Sequence, residues 1–167
     1  MMGDADEPHL WRFSLAFYAA PSVARALIAL QDRDGLDVNL MLFALWLGVS
    51  GRDRLDIDAL RAAEHAVCAI RADVVEPLRA LRRSLGPNPD ADVQRLCDGV
   101  KALELAAEKV VQSRLARFAG PCDASRSRHN RLDAAYDNFA LYLGPERVGS
   151  AEAVAIRHAL EAFTCED

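Results

Sequence analysis

The fold turns on Asp37-Val38-Asn39-Leu40-Met41-Leu42-Phe43-Ala44-Leu45-Trp46-Leu47-Gly48-Val49. Apart from Asn39, every position beyond the opening aspartate is apolar. A helix that is apolar on all faces is stable only when neighbours surround it. Asp37 stands where a side chain can accept from the free N–H groups of the first turn. The apolar run from Leu40 to Val49 is about half the length that a bilayer crossing needs. The stretch therefore reads as the central helix, about residues 37–49, of a folded domain and not as a membrane span.

The flanking segments have helical spacing. Leu10, Phe13 and Phe17 share one stripe, and Pro21 closes that helix and opens the next, which carries Val23, Leu27 and Leu30. Gly35 suits a left-handed cap at its end. Asp56 heads a long stripe of Ile57, Leu60, Ala63, Val67, Ile70, Val74, Leu78, Leu81 and Leu85. The three-and-four spacing runs through Pro77, which predicts one helix kinked at the proline or two helices abutting in near-continuation. Gly86-Pro87-Asn88-Pro89 breaks the chain. A further helix from Asp92 to about Ala119 shows a seam of Val93, Leu96, Val100, Leu103, Ala107 and Val110, after which the stripe shifts to Val111, Leu115 and Phe118, with Gly99 expected at a close helix crossing. Two shorter helices follow, the second capped by Ser150.

Composition agrees. Threonine occurs only at Thr164, isoleucine is scarce, and Ala and Leu dominate, a balance that favours helix over strand. The expected architecture is an all-α, single-domain bundle of about seven helices over residues 9–165, preceded by a disordered acidic segment at 1–8. The net charge of −5 makes nucleic acid an unlikely partner, because backbone binding needs clustered cations. The acidic start is unlike a signal peptide, and Cys68, Cys97, Cys122 and Cys165 form no Cys-x-x-Cys pair. A cytoplasmic protein with reduced thiols, no membrane association, no metal and no cofactor is expected.

Polar side chains set among apolar ones are the candidate site. A buried amide or carboxylate must find a partner, so Gln31, Asp37 and Asn39 are either structural ties or the floor of a pocket. Trp11, Tyr18 and Trp46 are candidate walls, and Ser14 lies on the same early helix. Arg79, Arg82 and Arg83 fall within one turn, and Arg79 and Arg82 share a face able to hold a phosphate or carboxylate. Asp32-Arg33-Asp34-Gly35 resembles the middle of a calcium loop. That reading fails, because Leu30 and Met41 occupy the positions of the first and last acidic ligands. Arg126, Arg128, His129 and Arg131 make a second basic cluster.

Leu10-Trp11-x-Phe13-Ser14-Leu15, Tyr18-x-x-Pro21-x-Val23, Leu30-Gln31-Asp32-x-x-Gly35-x-Asp37-Val38-Asn39-Leu40, Leu45-Trp46-Leu47 and Pro77-Leu78-Arg79-x-Leu81-Arg82-Arg83 resemble a set of small proteobacterial proteins of similar length classed as a domain of unknown function. Ser22 stands where glycine commonly follows the proline of that pattern. The resemblance spans the first half of the chain. It implies a helical fold in a bacterial cytoplasm and brings no activity or catalytic residue.

Two functions are consistent with these residues. One is a non-enzymatic interaction or adaptor protein, with a protein partner or a homodimer through the Val93–Val110 seam. The other is a small-molecule binder, or an enzyme, that holds an anionic ligand through Gln31, Asp37 and Asn39 with Arg79 and Arg82. The first is the leading expectation, since no catalytic set converges.

Overall fold

The computed structural model describes residues 9–165, so the expected disorder of 1–8 lies outside the described residues. Eight helices form among them: α1 His9–Tyr18, α2 Pro21–Asp34, α3 Val38–Val49, α4 Ile57–Ile70, α5 Glu76–Leu85, α6 Ala91–Leu115, α7 Arg128–Leu143 and α8 Ala151–Phe163. The π-helical turn Arg71–Val75 joins α4 to α5 without a break, which leaves seven rods. The protein is an all-α helical bundle. Among the described residues, no single helix is long and apolar enough to cross a membrane.

Helix α3 is the hub. Every residue from Asn39 to Gly48 is buried. One side of the helix, with Met41, Leu42 and Leu45, packs into a cluster with Leu27 and Leu30 of α2, Phe139 of α7 and Ile156 of α8. The other side, with Leu40, Phe43 and Leu47, meets Leu10 of α1, Val67 of α4 and Val111 of α6. Its closest neighbour is α7. A Cβ added to Gly48 would lie 2.0 Å from the backbone nitrogen of Ala135, so only glycine lets the two backbones approach this closely.

The helix ends follow from local chemistry. Asp37 Oδ1 accepts from the N–H groups of Asn39 and Leu40 at 2.5 and 3.2 Å. Gly35 adopts φ 70° and closes α2 through its N–H to Gln31 O. Asp56 and Ser150 cap α4 and α8 as read from the sequence.

Three expectations need correction. The long stripe is not a simple proline kink. Pro77 has no N–H to continue the ladder, and its ring crowds the preceding turn; the chain widens into the π turn just before it. A π turn adds one residue to the repeat. The inward row therefore advances from Val74 to Val75 and from Leu81 to Arg82, and Val74 and Leu81 turn to solvent at 39 and 45 % exposure. The predicted α6 seam is rotated as well. Val100, Ala107, Val111 and Leu115 are buried as read, but so are Glu104 and Gln112, while Leu96, Leu103, Val110 and Phe118 face water. Gly99 is no crossing, since an added Cβ there would meet nothing within 4 Å.

Candidate functional site

One cavity of about 320 Å³ lies where α1, α2, α5, α6 and the start of α3 converge. Its apolar wall includes Trp11 and Leu15 of α1, Ile28 of α2 and Leu42 of α3. Its polar wall is built from Ser14, Gln31, Asn39, Arg79, Glu104, Glu108 and Gln112. A volume near 300 Å³ lies at the lower end of the range of small-molecule sites, and this wall carries more polar groups than most of them.

Helical spacing explains the α1 contribution. Trp11, Ser14, Leu15 and Tyr18 recur at three and four residues and so share one face. The π turn accounts for α5: by advancing the register it turns Arg79 and Arg82 inward, where α6 brings Glu104 and Glu108 to meet them. Arg79 Nε contacts Glu104 at 3.4 Å, its two terminal nitrogens reach Gln31 Oε1 and Glu108 at 2.9 Å each, and Glu76 lies 3.5 Å away. Arg82 Nε donates to Glu104 at 2.5 Å. Every Arg79 nitrogen is thus engaged by protein.

Burial opposes charge on Arg79, yet the Glu108 hydrogen bond and the surrounding carboxylates hold its pKa above the ordinary arginine value. Burial raises the pKa of Glu108, with Arg79 opposing that shift. Tyr18 is raised too, first by burial and then by the charge of Glu108, so its phenol keeps its proton.

Two polar atoms of these wall residues have no partner among the described residues. Ser14 is 4 % exposed and Gln112 is 2 % exposed, and neither Ser14 Oγ nor Gln112 Oε1 accepts or donates a hydrogen bond there. The amide of Gln112 is fixed from its other end, where Nε2 donates to Asn39 Oδ1 at 2.8 Å. Buried polar groups are nearly always satisfied. Both residues line the cavity, but the two atoms themselves are sealed from it, so a ligand atom would meet them only after a side-chain rotation.

Of the expected residues, Trp11, Ser14, Gln31, Asn39, Arg79 and Arg82 all line the cavity, and Asp37 does not. Asp37 is a structural tie. Besides capping α3, it pairs with Arg71 of the π turn, and its N–H donates to the Tyr142 hydroxyl of α7 at 2.8 Å. Burial raises the pKa of its carboxyl despite the opposing Arg71. Trp46 is elsewhere, under the Arg52 guanidinium at 4.4 Å from its ring centre. The basic cluster is also made of ties: Arg126 pairs with Asp53, Arg128 donates to Glu161 O, and Arg131 donates to Ala124 O.

Sequence reasoning missed Glu104, Glu108 and Gln112. Their only signal was being polar at a four-residue spacing on the inward face of α6, a pattern masked by the more apolar row beside it. It also missed Asn138, which accepts from Leu55 N–H and donates to Ala44 O in the centre of the bundle.

Residues 9–115 match the family model described as Protein of unknown function (DUF2390). No curated protein and no solved structure matches the chain.

Proposed function

As the chain belongs to that family, whose description assigns no activity, we propose from the geometry that it binds a small amphipathic molecule in the α1–α2–α5–α6 cavity. The observation that carries the reading is the orphaned pair of Ser14 Oγ and Gln112 Oε1. The amide oxygen can only accept, so the ligand group that meets it must donate. Arg79 and Arg82, the cations first in line to hold an anion, are already paired with Glu104 and Glu108. A carboxylate or phosphate would have to displace those partners and would face their charge. The wall therefore favours a neutral or cationic N–H head with an apolar body lying along Trp11, Leu15 and Ile28.

Trp11 supplies the readout, because it lines the cavity and Trp46 does not. The test is a thermal-shift and tryptophan-fluorescence titration with a series of alkyl and aryl amines and amides beside their matched carboxylates. A binder at a hundred times its dissociation constant should add about 2.7 kcal/mol of stability. Ser14→Ala and Gln112→Leu should each abolish the shift. Silence from the whole amine and amide series, or a response to the carboxylates alone, overturns the proposal.

The same reading keeps the protein in the cytoplasm, supported by four cysteines that are all free thiols. A second reading, an adaptor that docks another protein, is favoured by the water-facing apolar row on α6.

A further inference from the structure

Helix α6 carries a second apolar seam, and nothing among the described residues covers it. Leu96, Leu103 and Val110 are 58, 61 and 44 % exposed and recur every seven residues. Three residues after each comes a small one, Gly99, Ala106 and Ser113. An added Cβ at Gly99 would touch nothing, so the notch there is open. All six positions fall on one side of the helix, over a length of about 27 Å. Exposed large apolar side chains in a continuous row mark a surface that is covered in use.

The order of the row identifies the cover. Two copies of this helix packed antiparallel can be set so that Leu103 of each lies over Ala106 of the other, Val110 over Gly99, and Leu96 over Ser113. The same register brings Asp92 opposite Arg117. The three apolar pairings share one midpoint along α6, and Arg117, in the 3₁₀ turn Ala116–Phe118 that continues the helix, is as far from that midpoint in sequence as Asp92, so a single two-fold axis relates all four, as a self-complementary interface requires. A parallel pair would set Leu103 against Leu103, Asp92 against Asp92 and Arg117 against Arg117. Asp92 already pairs with Arg95 through one carboxylate oxygen, which leaves the other to face the incoming arginine.

We infer that the protein forms a homodimer through the exposed Leu96–Ser113 face of α6, antiparallel, with Asp92 and Arg117 closing both ends.

Sedimentation velocity on the full chain over a range of concentrations tests this. The wild type should sediment as a reversible dimer. Leu103→Arg should sediment as a monomer with unchanged helical circular dichroism, since Leu103 makes no core contact. Asp92→Arg alone should weaken association by about tenfold or more, and adding Arg117→Asp should restore it. The inference is overturned by a wild type that stays monomeric into the high micromolar range. A Leu103→Arg variant that still dimerises, or a charge swap that fails to regain affinity, overturns it equally.

Discussion

Asp37 holds three elements together: it caps α3, pairs with the π turn through Arg71, and gives its N–H to Tyr142 of α7. Its two side-chain tasks are separable. Asp37→Ala removes the cap, worth about 1 kcal/mol, and strands a half-buried arginine, so a total loss of about 2–4 kcal/mol is expected. Asp37→Asn keeps an oxygen for the Asn39 and Leu40 N–H groups and removes a charge that burial disfavours. It keeps the cap but sets an amide NH2 against Arg71, so it should cost about 1 kcal/mol less than Asp37→Ala and still lose the ion pair. Urea unfolding of both variants checks this, and equal losses would show that the ion pair matters and the cap does not. The capping role was legible in the sequence, because an aspartate directly before an apolar helix has few other uses. That Asp37 stays outside the cavity while Gln31 and Asn39 line it was not legible, since all three share the same polar-among-apolar signature and differ only in direction.

Among the elements, α3 was the easiest to read, because an apolar surface on all sides admits one environment. Its crossing with α7 was hidden: Gly48 and Gly99 are equivalent in the sequence, and only the approach of Ala135 distinguishes them. Gly48→Ala drives a methyl into the α7 backbone, which cannot swing aside as a side chain would. A loss of about 3 kcal/mol or more is expected, read from the urea midpoint. A loss under about 1 kcal/mol would show that the helices separate easily. The misreadings of α5 and α6 have a common origin. Periodicity assumes a constant number of residues per turn, and the π turn breaks that assumption ahead of Pro77. The shift presents arginines where leucines were expected, and α6 answers by turning Glu104 inward in place of Leu103. Apolar spacing could not report this exchange, because the pairing that drives it is ionic.

On the scale of the whole molecule, Asp37 and Glu108 set a pH dependence. Burial raises both pKa values above their ordinary ranges. A group that binds its proton more tightly in the folded state contributes stability below its unfolded pKa and loses it as the pH rises through the folded value. Asp34, Asp123 and Glu152 have lowered pKa values, the first two mainly through side-chain hydrogen bonds to Arg33 and Ser125, and Glu152 through its backbone and Arg33. Their contributions are present above the ordinary carboxylate range and fade as the pH falls through the folded values. The stability maximum should therefore lie within the ordinary carboxylate range, with a decline above it as Asp37 and Glu108 give up their protons. Urea midpoints taken from about pH 3 to 8 locate it. Glu108→Gln should flatten the decline toward neutral pH, and parallel profiles for variant and wild type would remove Glu108 from the account.

The two apolar clusters draw on opposite flanks of one rod, and this has a consequence for how the protein comes apart. Opening either cluster would wet one side of α3 while the other still grips it, a half-dissolved state with nothing to offset its exposure. The rod thus couples the clusters into one melting unit, and partial unfolding is left to the outer segments that never touch it.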